Sequence, residues 1–167
     1  MIDELKNHAV GEHTTYFGGY LGNYYLVMLF PEPWSYELFE IVVSKDHYST
    51  DYEPYEGRKD YASNTVGGYY AARLPIVERL NMMKRQGSVI AIRFITDSYS
   101  MPMGVWVVRE AARKAMDSKP FEFGDRDYAL NYAKVLSKKK FGFDLQPILD
   151  QSKVLNEKKF QTRLGDF

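Results

Sequence analysis

Residues 88–95 read SVIAIRFI, and this stretch decides the fold because it is apolar almost without interruption over the length of one strand. A strand with one solvent-facing side alternates polar and apolar residues, whereas a strand covered on both faces is apolar throughout. The stretch therefore predicts a central strand with other elements packed above and below it. Its one charge, Arg93, interrupts the pattern and needs a buried partner.

Two earlier stretches predict strands that pair in the same sheet. Residues 23–30 read NYYLVMLF, and residues 34–43 read WSYELFEIVV after a connection with two prolines. Aromatic and β-branched residues bounded by proline are typical of strands. In the second stretch one face is shared by Trp34, Tyr36, Leu38 and Glu40. The sequence FEF at residues 121–123 predicts a short edge strand.

The spacing of apolar residues predicts a helix over residues 64–86. Its apolar stripe recurs every three, four or seven residues, at Tyr69, Ile76, Leu80 and Met83. Pro75 is expected to kink or break this helix because proline lacks the N–H and its ring clashes with the preceding turn. Gly87 is expected to end it.

Three more helical segments follow the central strand. Residues 103–117 predict a second amphipathic helix, with four residues facing inward: Val105, Val108, Ala112 and Ala115. Asp125 or Asp127 is expected to cap a third helix that runs to about residue 139, and a short helix is expected to start near residues 145–147. The sum is one α+β domain over residues 1–155, a mainly antiparallel sheet packed with three to four helices, with a basic tail at residues 156–167.

Composition excludes several classes of protein. The chain has 167 residues and no cysteine, so disulfide scaffolds, thiolate zinc sites and cysteine nucleophiles are excluded. It has no run of eighteen apolar residues and no signal-peptide layout at its start, which predicts a cytoplasmic protein that does not contact the membrane.

The balanced charge conceals an uneven distribution. The chain carries 22 basic and 22 acidic side chains, but residues 1–108 hold 9 basic against 13 acidic and residues 109–167 hold 13 against 9. Any contact with a polyanion such as DNA is therefore expected from the C-terminal third, where Lys138, Lys139 and Lys140 are consecutive. Direct DNA binding is expected to be weak.

Arginines on apolar surfaces are the first candidate functional residues. Arg73 falls on the apolar stripe of the predicted 64–86 helix, and Arg93 lies in the central strand. Buried guanidinium groups either pair with carboxylates such as Glu110 or line an anion site, and both alternatives stay open. Arg109, early in the second helix, is expected to join them.

The long polar segment at residues 45–63 is predicted to be a functional loop, because connections of that length without structure are uncommon. The candidate acids and bases are Asp51 and Glu53 in this segment, and His13 beside Glu12 in the sequence GEHTT. No metal-ligand spacing occurs, and the sequence assigns no metal and no cofactor. A metal site in which Asp51, Glu53 and Asp60 act together with a histidine is left open.

The last seven residues, QTRLGDF, resemble the peptide with which replication and repair proteins bind the sliding clamp PCNA. The pattern places Gln161 three residues before Leu164, and Leu164 three residues before Phe167. In a turn with three residues per turn, positions i and i+3 lie one above the other, so the leucine and the phenylalanine project together as one apolar plug. Lys158 and Lys159 precede the peptide.

The order of motifs resembles the C-terminal domain of the archaeal Nre family of DNA repair proteins. The motifs are HTT, DYEPYEGRKDYAS, GGYYAARLPIVERL, the apolar strand and PMGVWVVREAARKA, over roughly residues 10–117, followed by the terminal peptide. Members are generally longer, so the chain is expected to be a C-terminal fragment or the product of a split gene. The family-like positions are Asp51, Arg58, Tyr61, Gly67, Gly68, Tyr69, Arg73, Trp106 and Arg109.

What the resemblance implies is a DNA repair factor brought to DNA by PCNA through the terminal peptide. Two alternatives remain. The first is an enzyme acting on DNA or a nucleotide, with an anion site drawn from Arg58, Tyr69, Arg73, Arg93 and Arg109. The second is a protein-interaction module without chemistry, because 15 of the 26 aromatic residues lie between Tyr16 and Tyr70.

Overall fold

The computed structural model describes residues 1–99 and 104–157. The helices are α1 (Ile2–Leu5), α2 (Gly67–Met83), α3 (Val105–Asp117), α4 (Arg126–Phe141) and α5 (Gln146–Gln151), and residues 153–157 are also helical. The strands are β1 (Ala9–Val10), β2 (His13–Tyr20), β3 (Asn23–Phe30), β4 (Ser35–Val42), β5 (His47–Glu53), β6 (Arg85–Gln86), β7 (Ser88–Ile95) and β8 (Phe121–Phe123).

Six strands form one mixed sheet in the order β5-β4-β7-β3-β2-β8, and β1 pairs with β6 in a small parallel ribbon. In the large sheet only β4 and β7 run parallel, and the other neighbouring pairs are antiparallel. A parallel pair needs a crossover connection, which here contains β5 and α2. The predicted α+β class and the mainly antiparallel sheet are confirmed.

Both faces of the sheet are covered, as the apolar run at residues 88–95 predicts. Helices α2 and α3 pack on one face, in a core that includes Tyr25, Trp34 and Ile76. Residues of α4, α5 and the segment after α5 pack on the other face, against Leu26 and Phe94. Every residue of β7 except Ile95 is buried, so the strand lies at the centre of the molecule.

The aromatic-rich region between Tyr16 and Tyr70 supplies much of this core. Its largest side chains are less than 2% exposed, namely Trp34, Tyr16, Tyr25, Tyr36, Tyr69, Phe30 and Phe39. Their concentration therefore reflects packing around the central strands, and only a few tyrosines of the region are left at the surface.

The polar segment at residues 45–63 is not the continuous loop that its composition predicts. Strand β5 occupies His47–Glu53 and pairs with β4 along its full length at the edge of the sheet. The sequence does not show the alternation of polar and apolar residues that predicts a strand, because the buried positions near the end of β5 are carboxylates. These are Asp51 and Glu53, which are 6% and 2% exposed. Only residues 54–66 form the connection to α2.

Helix α2 differs from its prediction at three points. Pro75 lies inside a helix that runs from Gly67 to Met83, so of the two predicted effects, a kink or a break, the break is wrong. Buried residues on both sides of Pro75 stabilise the helix enough to outweigh the lost hydrogen bond. The helix ends at Met83 because Lys84 adopts the left-handed conformation, with φ of 53°. Gly87 has another role, since a Cβ there would lie 2.7 Å from the Phe30 carbonyl oxygen.

The later helices largely follow their predictions. The prediction that Val105 faces inward is wrong, because Val105 is the first residue of α3 and is 52% exposed. Val108, Ala112 and Ala115 are buried, as predicted. Asp125 caps α4 by accepting a hydrogen bond from the Tyr128 N–H, as predicted. None of the helices in the described residues combines the length and the apolar character needed to cross a bilayer.

Candidate functional site

An open cleft of about 480 Å³ lies where the connection after β5 passes over the start of the chain and the side of α2. Helix α1 contributes Ile2 and Asp3, and Lys6 follows it. The connection contributes residues 56–61, and α2 contributes Tyr70 and Arg73. Glu53, at the end of β5, forms part of its floor. Several candidates that are distant in sequence therefore meet here.

Glu53 is the buried anchor of the cleft. One carboxylate oxygen, Oε1, accepts hydrogen bonds from the Tyr69 hydroxyl at 2.8 Å and from Arg73 Nη1 at 2.6 Å. The other, Oε2, accepts one from Trp34 Nε1 at 3.3 Å. A carboxylate held by three donors has little capacity to act as a general base, so its chemical effect is to position Arg73.

Tyr69 stays protonated and keeps donating to Glu53. Burial, followed by the negative charge of Glu53, raises the pKa of Tyr69 far above that of an exposed tyrosine. The backbone carbonyl of the same residue accepts a hydrogen bond from the buried Tyr36 hydroxyl at 3.1 Å. The first turns of α2 are thus tied to β4 and β5 by hydrogen bonds as well as by packing.

Asp51 and Arg58 organise the connection between β5 and α2. Asp51 Oδ2 accepts hydrogen bonds from the Thr65 N–H and hydroxyl, both at 2.7 Å. Arg58 donates to the carbonyl oxygens of Tyr52 at 2.6 Å and Asp60 at 3.0 Å, and one of its nitrogens lies 3.8 Å from Asp51 Oδ1. Asp51 is therefore occupied in folding the connection and is not available as a free carboxylate base.

Tyrosine rings and the two arginines form one contact group. The guanidinium carbons of Arg58 and Arg73 lie 5.6 and 5.8 Å from the centre of the Tyr69 ring. Arg73 also lies 5.0 Å from the ring centre of Tyr70, whose ring is 4.8 Å from that of Tyr61. Cation–π contacts of this kind fix the planes of the guanidinium groups. Tyr61 completes the group at the surface, where it is 62% exposed.

Arg93 belongs to a different, internal group. It is 7% exposed, and its Nη1 donates to Glu40 Oε2 at 2.5 Å, while Nε and Nη2 donate to Asn23 Oδ1. Burial raises the pKa of Glu40, and the charge of Arg93 opposes that effect. The carboxylate partners of the two arginines are thus Glu53 for Arg73 and Glu40 for Arg93. The suggested partner Glu110 instead binds Arg113.

Gly68, at the start of α2, makes room for Glu40. A Cβ on Gly68 would lie 2.7 Å from Glu40 Oε2, so only glycine lets the carboxylate approach the helix so closely. A helix N-terminus attracts negative charge, and here the protein supplies that charge itself.

The other candidates lie apart from the cleft. His13 is in β2, with three strands between it and β5, which corresponds to about 19 Å across the sheet. Its ring packs edge-on against Phe30, so His13 does not form one site with Asp51 and Glu53. Arg109 is partly exposed on α3, and within the described ranges no hydrogen bond or ion pair connects it to Arg73 or Arg93.

The lysine run is on the opposite face of the molecule from the cleft. Lys138, Lys139 and Lys140 form the last turn of α4 and are exposed. Lys140 lies 5.4 Å from the centre of the Phe17 ring. Among residues 1–99 and 104–157, no three His, Asp or Glu side chains are grouped so that they could hold a metal ion. Asp51, Glu53 and Asp60 are therefore not arranged as a metal site.

The sequence did not identify two residues that hold the polar groups of the cleft in place. Tyr70 contacts Arg73, and Trp34 donates a hydrogen bond to Glu53. The only signal for Tyr70 was its position beside Tyr69 and three residues before Arg73. The terminal peptide, with Gln161, Leu164 and Phe167, lies outside the described residues.

Comparison with known proteins gives a consistent result. A protein-family profile described as "Archaeal Nre, C-terminal" matches residues 53–167. The chain is 45% identical over 121 residues to "DNA repair protein NreA" of Archaeoglobus fulgidus, covering 68% of this chain and 31% of that protein. It is 36% identical over 123 residues to the NreA of Haloferax volcanii, covering 66% of this chain and 29% of that protein.

A third relative is "DNA repair protein NreB" of Archaeoglobus fulgidus, 32% identical over 142 residues, covering 79% of this chain and 36% of that protein. The chain thus spans about a third of the length of the curated relatives it matches. No solved structure gives a significant match.

Proposed function

Since the chain belongs to the archaeal Nre family, we propose that it is a DNA repair factor that the sliding clamp PCNA recruits through Gln161, Leu164 and Phe167. The observation that carries the DNA repair role is the family match over residues 53–167, together with the relatives named DNA repair proteins. The matched range includes the terminal peptide and most residues that line the cleft, whereas the lining residues Ile2, Asp3 and Lys6 lie before it.

The terminal peptide supports recruitment by the clamp through its chemistry. Leu164 and Phe167 supply two apolar anchors at a spacing of three, and Gln161 supplies an amide that can both donate and accept hydrogen bonds. Peptides of this kind bind through a few anchors that fill pockets, rather than through a large contact area. Lys158 and Lys159 add positive charge beside the anchors, which favours a partner with an acidic rim.

Direct contacts with DNA are proposed to be few. The basic C-terminal third contributes the exposed turn Lys138–Lys140, which could reach backbone phosphates. Three lysines give weak and salt-dependent binding that does not depend on sequence. A clamp that encircles DNA raises the local concentration of such a protein at its target, so weak direct binding and recruitment are compatible.

Titration of the full chain with an archaeal PCNA tests the recruitment. The Phe167→Ala variant is expected to bind PCNA about 30-fold more weakly, because removal of an aromatic anchor from a pocket costs about 2 kcal/mol or more. The matched control is Thr162→Ala, which lies between the anchors and is expected to bind as the parent does. Recruitment through this peptide would be refuted if Phe167→Ala and the parent chain had the same affinity.

A further inference from the structure

The geometry of the cleft points to a ligand for it, and we propose that it binds an unpaired nucleotide within single-stranded DNA. The phosphate would lie against Arg73 and the base would stack on the exposed face of Tyr61. The choice of DNA as the ligand rests on the proposed repair role, whereas the site itself rests on the contacts around these two residues.

Arg73 has the properties of a preorganised phosphate ligand. A guanidinium has five N–H groups, and among the described contacts only Nη1 is used, in the hydrogen bond to Glu53. That bond and the two tyrosine rings fix the plane of the group, while its side chain remains 25% exposed toward the cleft. The other N–H groups can form the paired hydrogen bonds that planar guanidinium makes with phosphate oxygens.

Arg58 supports the proposed phosphate position beside Arg73 but is not the main phosphate ligand. Its hydrogen bonds to the carbonyl oxygens of Tyr52 and Asp60 hold the connection over the cleft. Its positive charge, like that of Arg73, lies close to the Tyr69 ring and is only distantly balanced by Asp51, at 3.8 Å. Arg58 is therefore a positioning residue that also adds positive potential.

Tyr61 has the properties of a stacking platform. One side of its ring is supported by Tyr70, which is held by Arg73 and by the Ala62 N–H that donates to its hydroxyl at 3.1 Å. The ring is nevertheless 62% exposed. A rigid aromatic ring that is supported from behind and open in front is the arrangement on which unpaired bases stack.

The size and charge of the cleft favour a single nucleotide over a long stretch of backbone. Its volume of about 480 Å³ is in the range of small-ligand sites. The lining has cations at Lys6, Arg58, Lys59 and Arg73, and carboxylates at Asp3, Glu53, Glu56 and Asp60. A lining with balanced charge attracts an extended polyanion less than a basic groove does. Stacking and one localised phosphate contact are therefore expected to supply most of the binding energy. Duplex DNA cannot use the platform because its bases are already stacked and paired.

The test is fluorescence anisotropy of a labelled thymidine oligonucleotide, about 12 nucleotides long, with the full chain and no PCNA. The Tyr61→Ala variant is expected to bind about tenfold more weakly, because one stacking contact is lost. Tyr61→Phe keeps the ring and is expected to bind as the parent does. The matched control is Tyr128→Ala on α4, a tyrosine that is 65% exposed and lies outside the cleft. The slope of log affinity against log salt is expected to be no steeper than about −2.

Three results would overturn this assignment. The first is equal affinity of the parent and Tyr61→Ala, and the second is binding to a matched duplex that is as tight as binding to the single strand. The third is competition by thymidine monophosphate at the same concentration as the oligonucleotide, which would identify a free nucleotide as the ligand. Because PCNA is absent, failure of this test leaves the clamp measurement unaffected, and Phe167→Ala is expected to retain its DNA affinity.

Discussion

Replacing Glu40 with alanine is expected to lower the free energy of unfolding by about 3–5 kcal/mol, because it leaves the buried charge of Arg93 without its carboxylate partner. Arg93 is 7% exposed and Asn23, its other partner, is fully buried. Neither residue can move its polar group into water without disrupting the centre of the sheet. Urea denaturation followed by circular dichroism measures the loss.

The double variant Glu40→Leu with Arg93→Met separates the cost of an unpaired charge from the value of the pair. Replacing a buried ion pair with apolar residues of similar volume is often nearly neutral, so the double variant is expected to be more stable than Glu40→Ala. A loss below about 1 kcal/mol for Glu40→Ala alone would show that Arg93 does not depend on this carboxylate.

Replacing Glu53 with alanine is expected to lower the free energy of unfolding by about 3–4 kcal/mol. Two fully buried donors, Trp34 Nε1 and the Tyr69 hydroxyl, would lose their acceptor, and Arg73 would lose its counter-charge. Arg73 is partly exposed and can be hydrated, so the loss comes mainly from the two donors. Urea denaturation gives the magnitude, and tryptophan emission in a Trp106→Phe background reports the change at the Trp34 indole.

Two variants calibrate this measurement. Glu53→Gln keeps an amide oxygen that can accept from one of the donors, and it is expected to cost less than Glu53→Ala. Glu56→Ala removes an exposed carboxylate from the rim of the same cleft, and it is expected to change stability by less than about 0.5 kcal/mol. If Glu53→Ala were as stable as Glu56→Ala, Glu53 would not be the anchor of the cleft.

The centre of the sheet could be predicted from residue patterns because burial on both faces leaves a local signature. The stretches NYYLVMLF and SVIAIRFI coincide with β3 and β7, Asn23–Phe30 and Ser88–Ile95. Each is an almost continuous apolar run of the length of one strand, so neither prediction depends on knowledge of distant partners. The cap at Asp125 was also predictable, since it depends on residues within one turn.

The cleft could be predicted only in part because its contacts join residues distant in the chain. Arg73 could be recognised as a charge on an apolar stripe, but its partner Glu53 is 20 residues earlier in a strand whose inward side chains are polar. The same limit applies to Arg93 and Glu40, which are 53 residues apart. Sequence patterns indicate that such a charge needs a partner, whereas the order of strands in the sheet decides which carboxylate it is.

Recruitment and the cleft have complementary roles in the proposed function. The cleft has a neutral lining and one exposed tyrosine ring as the proposed stacking platform, so its affinity for DNA is expected to be modest. The terminal peptide would place that cleft next to DNA whenever the clamp encircles it, which raises the effective concentration of the site. A neutral total charge, 22 basic against 22 acidic side chains, is compatible with a protein that reaches DNA in this way.

The most direct test compares binding of the full chain to end-blocked DNA with and without loaded PCNA. Loading PCNA is expected to increase the affinity of the parent chain at least about tenfold. Phe167→Ala is expected to lose that increase, and Thr162→Ala is expected to keep it. Equal binding of the parent chain to clamp-free and clamp-loaded DNA would contradict recruitment by the clamp, and so would an undiminished increase for Phe167→Ala.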